Sequence, residues 1–521
     1  MRYPGPCFVM DLDYEKGLGP YKVNKNVLVE SIEKSETSGP APPVEKKNVL
    51  ERFGNKLKAE NKGVERITDE EKTDSRLWPP ATMWLSANLV LPGFSIGATG
   101  ITTFSLSFWE AVPAIVCFNL LGVLSVAFFS IFGAKLGLRQ MVVTKFFLGN
   151  LGMRLFAFIN LVVCVGWGAV NIMNSAQLLN IVNNGALPPW AGCLIIIICT
   201  IIVTFFGYHV IHYYEMVSWI PNLAVLIAII CRMAMSGKFE SGEMHTGKDV
   251  AGNVLTYGGA VYGFATGWTT YASDYTTYQP RHARSWRIFG FVFCGVMIPC
   301  CFVMIIGAAC ATGTLNDETW NQYYKKDSIG GLVYSVLVVD SLHGFGQFLC
   351  VVFALSAVAN NIPNMYSISL SAQAVWSKLA LVPRYVWSIA GNFITLAICI
   401  PAFYYFEPFM DNFMNIMSYY LAIYQGMCLS EHFIWRKGDM SQYNYLEYRD
   451  PKATPVGIAA IFGFCCGAAG VAVGMNQTYY MSVLASKIGK DGGDIGFELA
   501  FGFAFVGFNL VRPFEKKYLG R

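Results

Sequence analysis

Twelve apolar runs, most about twenty residues long, recur between residues 82 and 512, and nothing constrains this 521-residue chain more. As a helix, a run of that length crosses the ~30 Å hydrocarbon core of a bilayer. Helices suit the task because lipid offers backbone N–H and C=O groups no partners. The runs cover about 82–104, 110–133, 154–178, 190–207, 214–233, 255–275, 288–312, 342–371, 384–405, 409–429, 455–474 and 495–512. Charge is distributed to match. The first 80 residues hold 28 of the 72 charged side chains, and the other 441 residues share 44. The fold class is therefore an all-α integral membrane body of 12 transmembrane helices behind a polar tail. An ordinary soluble enzyme is excluded. So is a nucleic-acid binder, because a net charge of +4 gives no polyanion footprint.

Lys and Arg gather in alternate short loops: Lys135, Arg139 and Lys145, then Arg281, Arg284 and Arg287, then Arg512, Lys516, Lys517 and Arg521. The positive-inside bias puts these loops, and both termini, in the cytoplasm. The run Asp317, Glu318, Lys325, Lys326 and Asp327 then falls in an outer loop, as does the glycosylation sequon at Asn476. Fifteen cysteines sit mostly inside apolar runs without framework spacing, as small buried hydrophobes do. The first residues lack the apolar core of a signal peptide. The Glu-, Lys- and Pro-rich tail is expected to be disordered to about residue 57. A short amphipathic helix is expected over Asn61 to Thr73. A trafficking or turnover role, through ubiquitination machinery, is the reading for the tail.

Two runs carry helix breakers at matching places. The first contains Ser86, Asn88, Pro92, Gly93 and Ser95, and the sixth contains Gly258, Gly259, Gly263, Gly267 and Trp268. Gly/Pro interruptions in the first and sixth helices point to a central site between two five-helix repeats. The alternative is that the glycines only let helices pack closely. In the third run Trp167 and Asn171 share a helix face, suited either to a flat ligand or to helix packing. The eighth run holds Asn360, Asn361, Pro363 and Asn364, where the proline frees the carbonyl of Ala359. An Asn amide offers a donor beside an acceptor, which matches the edge of a nucleobase. Among the few acids near the runs (Glu110, Asp274, Asp340, Glu407, Asp411 and Glu498), Asp274 is the candidate proton carrier. The six histidines form no metal-ligand spacing, so no metal or cofactor is expected, and there is no nucleophile–base pair for an enzyme.

Several strings closely resemble the fungal purine–cytosine permeases of nucleobase–cation symporter family 1. They are Ala59-Glu-Asn-Lys-Gly-Val-Glu65, Cys164-Val-Gly-Trp167-Gly, Phe205-Phe-Gly-Tyr208 with Ile211-His212, Gly267-Trp268-Thr-Thr-Tyr271, Ala359-Asn-Asn-Ile-Pro-Asn-Met365 and Gly492-Gly-Asp-Ile-Gly-Phe-Glu498. The resemblance runs from about Asn61 to Arg521. It implies a 5+5 inverted-repeat core like that of sodium-coupled amino-acid transporters, plus two C-terminal helices. The divisions expected are a tail at 1–80, a core at 81–430, two further spans within 431–512 and a short tail at 513–521. It also implies a base held between Trp167 and Trp268 beside Gly267. Amides Asn171 and Asn364 would address the base, Asn361 and Pro363 would shape the helix-8 end beside the further candidate Asn360, and Ser86, Asn88 and Ser95 would line the site from the first helix. The helix-8 stretch Phe353–Ala359 offers a single hydroxyl, Ser356, whereas a hard cation wants several oxygens. The expectation is proton symport of cytosine, adenine, guanine and hypoxanthine across the plasma membrane. The alternatives are a vitamin B6 transporter of the same family and a non-transporting nutrient receptor.

Overall fold

The computed structural model describes residues 63–520 apart from Thr73, Ser75, Gly207 and Ser377. The side chains of Phe206, Tyr208, His209 and His212 also lie outside the described set. The expected disordered tail, its trafficking role and the string from Ala59 to Lys62 fall outside it too. Residues 63–72 are described and are not helical, so the amphipathic helix expected over Asn61–Thr73 does not form there. The segment is instead tied to the end of a neighbouring helix. The N–H of Ile67 donates to Gly137 O at 2.8 Å, and Lys72 Nζ donates to Ala134 O at 2.7 Å. Those partners satisfy the C-terminal carbonyls of that helix.

Helix α1 (Pro79–Asn88) and helix α2 (Leu91–Thr102) are two halves of the first apolar run, bent by 52°. The break lies at Leu89–Val90, ahead of Pro92-Gly93, with Val90 extended at φ −141° and ψ 157°. Pro92 sits in the first turn of α2, where a missing N–H costs no intrahelical bond. Helix α3 (Phe108–Leu136) starts with a capping box between Ser107 and Glu110. Helix α4 (Gln140–Val182) turns at Gly149, whose φ of 72° suits only glycine. Next come α5 (Pro189–Phe206), α6 (Tyr208–Val217) and α7 (Trp219–Ser236). Helix α8 (Lys248–Thr266) tightens into a 3-10 segment, Gly267–Tyr275, in which Tyr271 leaves helical geometry at φ −142° and ψ 17°. Both interruptions expected from the sequence are present.

The second half of the chain continues with α9 (Ser285–Asn316), α10 (Glu318–Leu337), α11 (His343–Val375), α12 (Arg384–Ala402) and α13 (Phe406–Ser430). Helix α14 (Ile458–Gly474) and helix α15 (Gly496–Leu519) flank a two-stranded hairpin, Asn476–Gln477 against Tyr480–Met481. Helix α10 corrects the loop expected around Asp317–Asp327. Asp317 caps it by accepting from Trp320 N at 2.9 Å, and it kinks where Ser328 takes φ 52°. Helix α11 runs unbroken through Pro363 to Val375, beyond the expected end of its run.

Seven helical stretches among the described residues are long and apolar enough to cross a membrane, or eight with the bent pair α1–α2 as one span. Large apolar side chains such as Leu121, Phe158 and Ile298 project from them, about half exposed. Such faces suit hydrocarbon, and the protein is a multi-pass membrane protein. Where α2 crosses α9, a Cβ on Gly97 would lie 1.9 Å from Met304 O, and one on Gly307 would lie 2.0 Å from Phe94 O. Two backbones meet there with no room for a side chain.

Candidate functional site

The two helix breaks face each other with α4 and α11 on either side. At the first break the displaced backbone groups find side-chain partners on α11. Leu91 N donates to Ser356 Oγ at 3.0 Å, and Asn360 Nδ2 donates to Ala87 O at 2.6 Å. Irregular backbone at this depth is thus paid for by a neighbouring helix, as apolar surroundings require. The hydroxyl of Ser356 also donates to Phe353 O at 2.6 Å, so both its roles are in use.

Trp167 from α4 and Trp268 from the 3-10 segment lie with ring centroids 6.4 Å apart and planes inclined by only 15°. Two stacking steps of ~3.4 Å would need nearly the same spacing. Gly267 keeps the approach open, since a Cβ there would lie 2.9 Å from Trp167 Nε1. Trp268 Nε1 donates to Asn88 Oδ1 at 3.0 Å, which fixes the indole from α1. Around the rings runs a chain of amides. Asn171 Nδ2 donates to Asn360 Oδ1 at 2.9 Å, Asn364 Nδ2 donates to Asn360 O at 3.2 Å, and Tyr271 OH donates to Asn364 Oδ1 at 2.7 Å. All these side chains are buried. Trp167 Nε1 and Asn171 Oδ1 are buried without a hydrogen-bond partner in the protein, so the assembly offers both a donor and an acceptor beside a flat slot.

The structure therefore brings together Trp167, Asn171, Gly267, Trp268, Asn88, Asn360 and Asn364. The remaining residues named from sequence face elsewhere. Asn361 Nδ2 points to Thr200 on α5 at 3.3 Å. Ser86 Oγ donates to Glu215 O on α6 at 2.5 Å. Ser95 donates back to Leu91 O and accepts from Asn174, which ties α2 to α4. Pro363 sits within α11 between the two amides of the site. Asp274 lies beyond the Trp pair, its Oδ1 accepting from the N–H of Gln140 at 2.7 Å at the start of α4. Arg139 Nη1 donates to the carbonyl of Asp274 at 2.8 Å. Asn476 opens the hairpin, with its Nδ2 donating to Asp491 O at 3.0 Å.

Three residues at or beside the site escape the sequence reading: Tyr271, Asn174 and Glu215. Tyr271 stands three positions beyond Trp268 and reaches the site only because the 3-10 segment departs from helical geometry there. No periodicity reports that. Glu215 was legible, as an acid within the fifth apolar run.

Comparison with known proteins gives the family to which the chain belongs. A family model described as permease for cytosine/purines, uracil, thiamine, allantoin matches residues 66–485. A purine-cytosine permease of Saccharomyces cerevisiae is 52% identical over 488 residues, covering 93% of this chain and 92% of that protein. One from Emericella nidulans is 42% identical over 473 residues, covering 91% and 92%. Among solved structures, Mhp1, a nucleobase-cation-symport-1 family transporter in a closed conformation with bromovinylhydantoin bound, superposes with a TM-score of 0.66. It is 14% identical and covers 88% of this chain and 95% of that one. At that identity the likeness speaks for the fold.

Proposed function

Because the chain belongs to the family of permeases for cytosine and purines, uracil, thiamine and allantoin, we propose that it imports cytosine and purine bases by proton symport. It is a transporter and not an enzyme. The observation that carries the substrate class is the parallel Trp167–Trp268 pair, 6.4 Å apart, edged by Asn171, Asn360 and Asn364. Stacking a base on an aromatic ring contributes roughly 1–3 kcal/mol per base and tolerates any base. The amides supply identity, since a site built to hydrogen-bond an edge group rejects analogues that lack it. With no charged side chain among these contacts, the site suits a neutral, planar, hydrogen-bonding solute.

The transport core is read as two inverted five-helix repeats over 81–430, followed by two helices within 431–512, for twelve crossings in all. What supports this is the position of the two breaks, in the first and sixth helices. Length supports it too. The stretches Glu318–Val375 and Arg384–Trp435 hold 58 and 52 residues. At ~1.5 Å per residue each exceeds twice the bilayer core. Both termini and the 1–80 and 513–521 tails are assigned to the cytoplasm and Asn476 to the outside, in the plasma membrane. A proton is the preferred coupling ion because Ser356, the one hydroxyl of its helix stretch, is already bound to Leu91 N and Phe353 O. Asp274 is the carrier suggested by sequence.

The test is uptake of labelled cytosine in yeast lacking its own permeases. Uptake is expected to fall as external pH rises and to collapse with a protonophore. Adenine and hypoxanthine are expected to compete; uracil and pyridoxine are expected to compete poorly. Sodium-dependent uptake would overturn the coupling, binding without accumulation would favour a receptor, and competition by pyridoxine alone would favour vitamin B6.

A further inference from the structure

Glu215 lies on α6, one turn before that helix gives way to α7 at Ser218, and its side chain is fully buried. Neither carboxyl oxygen has a hydrogen-bond partner in the protein. Every other fully buried acid described is engaged. Asp274 accepts from Gln140 N, Asp494 from Asn476 N and Gly496 N, Glu431 from Arg512, and Glu515 from Gly457 N. Stripping an ionised carboxylate of water and giving it no counter-charge is strongly unfavourable, so a sealed, unpartnered carboxyl persists only as the neutral acid. To ionise it the protein must open a path to water.

The neighbours of Glu215 connect it to the site. From α1, Ser86 Oγ donates to the carbonyl of Glu215, two residues before the Asn88 that holds Trp268. Ser218, at the α6–α7 junction, donates to Ser86 Oγ at 3.1 Å. From the end of the 3-10 segment, Tyr275 is within electrostatic reach of Glu215, and its hydroxyl is buried without a partner. Trp84 packs against both Tyr275 and Trp268, at centroid distances of 5.4 and 5.2 Å. On its own helix Tyr214 is adjacent, with Cys199 of α5 behind it. From α11, Tyr366 stands beyond Tyr275 and accepts from Arg139. Among the described residues no Lys, Arg or His pairs with Glu215.

Resting on the symport reading above, we infer that Glu215 carries the coupled proton. It is loaded where the site opens to the outside, sealed as the neutral acid while the base is enclosed, and unloaded toward the cytoplasm. The half-helix α1 and the Tyr275–Trp84–Trp268 stack link its state to the platform on which the base lies. One proton enters and leaves on one carboxyl oxygen, and no other bond changes.

The test compares wild type, Glu215→Gln, Glu215→Asp and Asp274→Asn in yeast lacking its own permeases, with surface protein followed by a fluorescent tag. Accumulation of labelled cytosine and exchange of labelled for unlabelled cytosine are both measured. Glu215→Gln is expected to lose accumulation, its inside-to-outside ratio falling to about one and its pH dependence flattening, while exchange stays within about twofold of wild type. Glu215→Asp is expected to keep accumulation with a displaced pH profile. Should the amide variant be retained inside the cell, the same ratios are read from it in proteoliposomes. Full accumulation by Glu215→Gln, or its loss in Asp274→Asn alone, overturns the assignment. Wild-type accumulation indifferent to a protonophore would instead overturn the symport reading itself.

Discussion

The indole N–H of Trp268 donates to the side-chain carbonyl of Asn88 at 3.0 Å, a bond between the two interrupted helices of the bundle. Asn88 is itself held on both sides, its Nδ2 donating to Trp84 O at 2.8 Å and its Oδ1 lying 3.3 Å from Cys300 Sγ. One face of the proposed base slot is therefore set by α1, a half-helix whose own C-terminal carbonyl at Ala87 is tied to Asn360. Any movement of α1 reaches both the Trp268 ring and the amide of Asn360.

Removing that tether should cost affinity. Asn88→Ala leaves the Trp268 indole N–H buried without a partner, a loss of roughly 1–3 kcal/mol. The KM for cytosine is expected to rise about 5- to 100-fold with surface protein unchanged. Concentration-dependent uptake by the variant checks this, and an unaltered KM would show that α1 does not position the ring.

Stacking and edge recognition should separate by substrate. Trp167→Ala is expected to weaken cytosine, adenine and hypoxanthine alike, by about 10-fold or more, because a stacking face serves every base. Asn364→Ala, which also frees the Tyr271 hydroxyl, is expected to change the ranking among the three bases. Competition curves against labelled cytosine decide it. A uniform loss in Asn364→Ala would remove that amide from edge recognition.

The division between what the sequence revealed and what it hid follows from the physics of each feature. Trp167 and Asn171 were legible because helical spacing alone puts them on one face, and Pro92 and Gly267 because backbone breakers carry their own signal. Direction was harder to read. Ser86 and Asn88 are two residues apart on one helix, so one faces α6 and the other Trp268. Asn360 and Asn361 divide in the same way, between α1 and Thr200. Amphipathic patterning gives no guide where every face of a helix is buried. Helix α10 was hidden because the charges in its first half, Glu318 and Lys325 to Asp327, resemble a loop, and its cap at Asp317 was the one available sign.

The α2–α9 crossing should tolerate no added methyl. A Cβ at Gly97 would stand 1.9 Å from Met304 O, so the backbones must separate. Overpacking of this kind costs typically 1–3 kcal/mol. Gly97→Ala is expected to lower the Tm of the detergent-solubilised protein by several degrees. Gly290→Ala on α9, where a Cβ meets nothing within 4 Å, is expected to leave it unchanged or slightly higher. Equal behaviour of the two variants would argue against close contact at Gly97.

Stability at low pH should report the cap of α10. Asp317 Oδ1 accepts from Trp320 N at 2.9 Å while Oδ2 meets Lys238 Nζ at 2.8 Å. The hydrogen bond from Lys238 holds the Asp317 carboxyl below its ordinary range, with the Trp320 amide adding to the effect against a smaller opposing effect of burial. The unfolded chain therefore takes up the proton first as pH falls. The ion-pair contribution is complete above an ordinary carboxyl pKa of ~3.9 and is lost as pH drops through the lower folded-state value. Asp317→Asn, which keeps a good cap, is expected to cost at most about 1 kcal/mol at pH 7, as a partly exposed pair should. Asp317→Ala, which loses the cap as well, is expected to cost about 1–2 kcal/mol. Thermal unfolding at pH 7 and below pH 4 should show the gap between wild type and Asp317→Asn closing at the lower pH while the Asp317→Ala deficit persists. A wild type–Asn gap that widens with acid would reverse the sign and refute the ion pair as its source.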